Sequence, residues 1–257
     1  MPAVSPRHWI WRRSGAMLWA DYDTSRGGVS LMSMRAGWII STVLASSVAV
    51  ADFKPDFSAV MKDLEMMSRS EDRMTFVLWL PIDFWRFQLQ AQAMLTPKAI
   101  DQIITSLDPY TIIAVVDAQP EVGGAFTYTE EEKLEKMVSL EDRAGNGIQP
   151  LELDSVSNNV KNLVQMMHPV LANAMGSMGS HFELFVFPAR DKDGKPIADA
   201  TKEGSLTVHV GDRAFRYRLP LGSLLPPAVD TKTGESFPGN YHFNPFTGNK
   251  LTPSAGR

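Results

Sequence analysis

The chain has 257 residues, 44% hydrophobic and 21% charged, with a net charge of −4 and no cysteine. That is ordinary globular composition; it excludes a disordered tail and a coiled coil, disulfides and thiol chemistry. The charge also argues against a nucleic-acid partner, which calls for a basic face or stripe.

The first 51 residues differ in kind from the rest. They hold four of the six tryptophans (Trp9, Trp11, Trp19, Trp38), five arginines and only two acids, Asp21 and Asp23. Within them, "MSMRAGWIISTVLASSVAVADF" starts at Met32 with a basic residue, Arg35. It continues with an apolar run from Ala36 to Val50 and ends in Ala49-Val50-Ala51. A basic start, a short apolar core and small residues at a cleavage site make an export signal. The rival reading is a membrane anchor, but crossing the hydrocarbon core takes about 20 apolar residues, and Ser41, Thr42, Ser46 and Ser47 interrupt this run. The expected organisation is an extension over 1–31 that precedes the true start at Met32 or Met34, and a signal peptide over 32–51. A single globular domain over 52–225 and a C-terminal appendage over 226–257 follow. The expected location is periplasmic or secreted, with no membrane-embedded segment after cleavage.

In chain order, Phe57, Val60, Met61, Leu64 and Met67 recur at helical spacing behind Asp56, a candidate N-cap. Met74 to Leu80 reads as a buried strand. Pro81 opens a helix running toward Met94, and Thr96-Pro97 opens the next. Thr111 to Ala118 is a second β-rich run. Thr129 with Glu132 forms a capping box, and the acids Glu130, Glu131 and Glu132 suit a helix N-terminus. Around the "RAGNG" turn two strands are expected. A helical stretch from about Ser155 to Met178 follows, broken at His168-Pro169 and ended by Gly176 and Gly179. "HFELFVFPA", a turn at "RDKDGK", "SLTVHV", a Gly211-Asp212 turn and "AFRYRLPL" then make an antiparallel meander. The fold class is therefore α+β, with helices weighted to the front and strands behind.

The chain carries few motifs of known chemistry. No nucleophile elbow, zinc-protease helix motif, phosphate-binding loop or dinucleotide fingerprint is present. No catalytic residue and no cofactor is assigned. Asp191-Lys192-Asp193-Gly194 with Asp199 lacks the third acid or amide and the closing glutamate of a calcium loop, and Asp-Gly reads as a turn. Trp79, Phe84 and Trp85 suit either a core or an aromatic platform. Met166, Met167, His168, Met175, Met178 and His181 offer thioether and imidazole groups that suit soft copper. Met175, Met178 and His181 are the centre of that alternative. The competing reading has the methionines filling an irregular core. Asp117, Glu141, Asp142 and His209 are candidates for a hydrolase assembled from scattered residues.

The strongest local pattern is "DTKTGESFPGNYHFNPFTGNKL", Asp230 to Leu251. Asn244-Pro245-Phe246-Thr247-Gly248-Asn249-Lys250-Leu251 resembles the Cys-Pro-x-Cys-Gly-x-Lys-Leu knuckle of zinc-ribbon modules, and Asp230-x-x-Thr233-Gly234 resembles the companion knuckle. The resemblance covers these residues only. Asp230, Thr233, Asn244 and Thr247 stand where thiolates would hold zinc, so no metal is implied. Instead, Asp, Asn and Thr side chains can bond the backbone N–H groups of their turns. Phe237, Tyr241, Phe243 and Phe246 are expected to seat this metal-free hairpin on the main domain. The functional expectation is an exported accessory protein that acts by binding a protein or envelope partner. Copper binding and hydrolysis are the alternatives.

Overall fold

The computed structural model describes residues 53–142 and 145–254; the expected extension and signal segment lie outside them. Helix α1 (Phe57–Leu64) starts at Asp56, whose carboxylate accepts the Ala59 N–H as predicted. The run does not stay helical to Met67. Strand β1 (Glu65–Arg69) takes over, because Met67 pairs with Phe76 of β2 (Met74–Leu80) in an antiparallel ladder. Sheet pairing here overrides a helical apolar spacing, a tertiary effect that local pattern does not encode. Helix α2 (Ile82–Gln90) follows Pro81, which is the N-cap, and ends short of Met94. Helix α3 (Pro97–Leu107) has Thr96 as its cap, accepting from the Ala99 N–H at 3.3 Å.

Strand β3 (Tyr110–Pro120) is the spine of the first sheet. One edge pairs with β2. The other is shared end to end by β4 (Phe126–Tyr128) and β7 (Glu183–Pro188). Register puts Thr75, Val77 and Trp79 opposite Asp117, Val115 and Ile113, so these six share one face. That face meets the second sheet. The Tyr217 ring lies 5.4 Å from Trp79, and its hydroxyl donates to the carbonyls of Val77 and Leu64. On the opposite face Phe76 packs edge-on against Phe182. Trp79, Phe84 and Trp85 are all buried, as core and not as a platform.

After helix α4 (Glu131–Met137), the second sheet has the order β6-β5-β8-β9: β5 (Val138–Glu141), β6 (Gly147–Ile148), β8 (Gly204–Val210) and β9 (Arg213–Leu219). Leu206, Val208, Val210, Phe215 and Tyr217 turn inward, and Ser205, Thr207, His209 and Arg216 turn outward, the alternation read from sequence. Gly211, at φ +63°, makes the tight turn between β8 and β9.

Three expectations change. The expected meander is split: β7 joins the first sheet and β8 the second, so the loop at Asp191–Gly194 crosses between sheets. The helical stretch expected in the second half is there, as α5 (Asn158–Met175). It runs unbroken through Pro169, then gives way at Gly176 to a short 3-10 turn. Thr129 does not cap α4. Glu130 holds the cap position, while the Thr129 hydroxyl is drawn 2.7 Å onto the buried Asp117 carboxylate.

Strands β10 (Ala228–Val229), β11 (Ser236–Phe237) and β12 (Thr252–Pro253) form a separate small sheet in the order β11-β10-β12. It meets the body where two glycines permit close approach. A Cβ on Gly222 would fall 2.5 Å from the Asn240 side-chain oxygen, and one on Gly239 would fall 2.4 Å from the Pro226 carbonyl oxygen. The Gly239 N–H donates to the Gly222 carbonyl, and the Asn240 amide to that of Pro220.

Candidate docking site

The segment Asp230–Leu251 contains one turn built twice. The first residue of each donates its N–H five residues on: Asp230 to the Glu235 carbonyl at 2.9 Å, Asn244 to that of Asn249 at 2.8 Å. The glycine of each turn donates back to that first residue, Gly234 to Asp230 and Gly248 to Asn244. Positive φ at both glycines, +76° and +72°, makes this possible without strain. The side chains repeat as well. Asp230 Oδ1 accepts from the N–H groups of Lys232 and Thr233, and Asn244 Oδ1 from those of Phe246 and Thr247. The Thr233 and Thr247 hydroxyls accept from Glu235 and Asn249.

The two turns are joined through one carboxylate oxygen. Asp230 Oδ2 accepts from the Asn244 amide at 2.8 Å, the Asn249 amide at 3.0 Å and the Thr247 hydroxyl at 3.3 Å. Asp230 and Asn244 are both buried. The Asn249 amide, together with that of Asn244 and the backbone N–H groups of Lys232 and Thr233, holds the Asp230 carboxyl well below the usual carboxylate range. Among the described residues no cation pairs with it. Sequence reasoning found Asp230, Thr233, Asn244 and Thr247 but missed Asn249 and Glu235, which occupy the same place in each turn. Their repeat at the turn exits was the available signal.

The aromatics of this segment do not seat it on the body. Phe246 is 83% exposed, Phe243 59% and Tyr241 43%. Ala228 and Leu251 are buried instead, and the two close-packed glycines make the contact. The half-buried Phe237 stacks on Tyr241 at 6.3 Å and lies 6.4 Å from Phe246, so it joins two exposed rings into one cluster. Phe243 pairs across the second turn with Lys250, placing that aromatic and that lysine side by side on one face. These aromatics ride on a scaffold already fixed by hydrogen bonds, and rigid exposed aromatics are the side chains best suited to anchor a contact.

The other candidates fall in separate places. Glu141 and His209 meet, Oε2 to Nε2 at 2.8 Å, in a cleft of about 860 Å³ that Asp142, Lys202 and Arg216 also line. A carboxylate-held histidine is part of a general-base arrangement. The nearby Ser205 hydroxyl, however, accepts from Arg216, at 3.4 Å. Asp117 is remote from that cleft in role. It is buried between the sheets, accepting from Arg73 Nε at 2.8 Å, the Thr75 hydroxyl at 2.6 Å and the Thr129 hydroxyl at 2.7 Å. Burial opposes its ionisation, but these three donors outweigh it and hold the carboxyl below its ordinary value. Arg213 completes this clamp, bonding Thr75 and Ser70. Met175 and Met178 pack against the core, Met167 does likewise, Met166 is 60% exposed on α5, and the His181 ring stacks on Tyr128 at 3.7 Å. Asp191 caps its own loop by accepting the N–H groups of Asp193 and Lys195. Among the described residues no group of three or more His, Asp or Glu side chains converges as a metal site, and no helix is long and apolar enough to cross a membrane.

No family model and no curated protein matches the chain. Among solved structures, a DUF4426 family protein from Pseudomonas aeruginosa PAO1 is similar over 61% of this chain and 94% of that one, at 13% identity and a TM-score of 0.23. That likeness is too slight to bear on fold or function.

Proposed function

We propose that this is an exported accessory protein that acts by docking on an envelope partner through its C-terminal ribbon. The observation that carries the reading is the ring cluster Phe237, Tyr241 and Phe246 on the doubly built turn. An apolar cluster that the body leaves uncovered, on a rigid support, is the pattern of an interaction site. Export rests on the signal pattern from Met32 to Ala51. In this reading the ribbon is a zinc-ribbon-like double knuckle in which Asp230 joins the turns that a metal would otherwise join. A photo-crosslinking residue at position 246 tests the reading in cells. Envelope-specific adducts that a control position on α3 does not give are expected. Adducts no different from the control would overturn it.

A further inference from the structure

The chemistry around the ring cluster narrows the class of partner. The ribbon holds two acids and two lysines between residues 226 and 254. Both acids are engaged within the ribbon: Asp230 is buried, and Glu235, although exposed, accepts from the Thr233 hydroxyl and the Asn244 amide. Among the described residues neither Lys232 nor Lys250 forms an ion pair. Lys232 reaches the Asn249 side-chain oxygen at 3.2 Å, and Lys250 stands beside Phe243. The body has the opposite character, since Asp and Glu outnumber Lys and Arg by eight between residues 52 and 225.

Exposed aromatics flanked by unpaired lysines, on a small module of an otherwise acidic chain, fit a surface that is apolar just beneath an anionic layer. Aromatic rings sit at the headgroup level of a bilayer, and basic side chains beside them are drawn to anionic lipid. The acidic body would be repelled by that same surface, which fixes which end approaches. A protein groove would satisfy the rings equally well, but it gives no reason for both acids to be engaged by neighbours within the ribbon while the exposed lysines have no ion pair among the described residues. Resting on the docking reading above, the geometry points to an anionic lipid surface as the partner. Tyr241, Phe243 and Phe246 enter the headgroup layer, and Lys232 and Lys250 contact its charge.

The test is co-sedimentation of the chain, as recovered from the cell envelope, with two kinds of vesicle: phosphatidylethanolamine with phosphatidylglycerol, and phosphatidylcholine alone. Sedimentation with the first and not the second is expected. Phe243→Ser with Phe246→Ser abolishes it, and Lys250→Gln weakens it about fivefold, the worth of one lysine near an anionic surface. An unchanged thermal midpoint shows that these exposed substitutions leave the fold intact. Sedimentation that survives the double serine variant overturns the proposal, because another surface then binds. No sedimentation with either vesicle, together with protein adducts at position 246, overturns the lipid assignment and leaves the docking reading standing. Neither vesicle binding nor adducts overturns both.

Discussion

Among the described residues two carboxylates are buried, and they are satisfied differently. Asp117, between the sheets, has a guanidinium at 2.8 Å and hydroxyls from two other positions. Asp230, in the ribbon, has amides, a hydroxyl and backbone N–H groups and, among the described residues, no cation. The Asp117 clamp ties elements 44 and more residues apart in sequence, through Arg73 and Arg213. The Asp230 hub ties residues within 19 positions of one another. A buried pair with a charge on both sides is costly to break from one side, because the other charge is left stranded. A carboxylate held by neutral donors leaves no charge behind when removed, so its loss is felt where its turns are.

That contrast can be broken at several points. Asp117→Ala should cost about 3 kcal/mol of global stability, the low end for breaking a buried pair, because Arg73 keeps the exposed Asp212 at 3.2 Å as a second partner; it is read as a lowered midpoint in urea at unchanged slope. Glu183 sharpens the picture from the other side. Burial, then repulsion from Glu131, pushes its carboxyl up to about 7. A folded value above the unfolded one means that the folded chain holds an extra proton, so stability contributed by this group falls as pH rises from about 4.5 to 7. Glu183→Gln should remove that slope and stabilise the chain above pH 7 by about 1–2 kcal/mol, after allowing for solvent screening. For Asp117 and Asp230 the sign is reversed. Both are depressed, so their contributions are present above about pH 4 and are lost as pH falls through the folded values.

Asp230→Ala should barely move the global midpoint while the Gly234 and Gly248 amides lose their hydrogen-exchange protection, since those N–H groups report the two turns directly. Loss of protection throughout both sheets would show instead that the ribbon is part of the cooperative core. Smallest of all, Phe246→Ala should change stability by no more than about 0.5 kcal/mol. Adding zinc or a chelator should leave the thermal midpoint where it is, and a zinc-dependent rise would mean that the hub yields its place to metal.

The sequence made the two regions legible to different degrees. The ribbon's turns were readable because each depends on residues at most five apart and on a glycine needing positive φ. What escaped was which residues face outward: Phe246 and Leu251 are both apolar near the second turn, and only packing on the body decides which is covered. In the body, β2, β3, β8 and β9 were readable from apolar runs and alternation. The pairing of β7 with β3 was not, because a strand's period says nothing of which edge it will find. Thr129 failed for a related reason. Its spacing to Glu132 is a local capping signal, but Asp117, twelve residues earlier, is the stronger acceptor. Glu141 and His209, 68 residues apart, became neighbours only through the β5–β8 register.

The shared edge of β3 sets a timetable for the newborn chain. Residues Tyr110 to Val115 pair with Glu183 to Pro188, so that stretch of edge stays open until some 70 more residues have been synthesised, roughly 4–14 s at ordinary translation rates. During that interval an apolar strand lies unzipped on one side, a template for pairing with any neighbouring chain. The interval of greatest hazard for this protein therefore precedes its completion, and a holdase or prompt secretion would guard it best there.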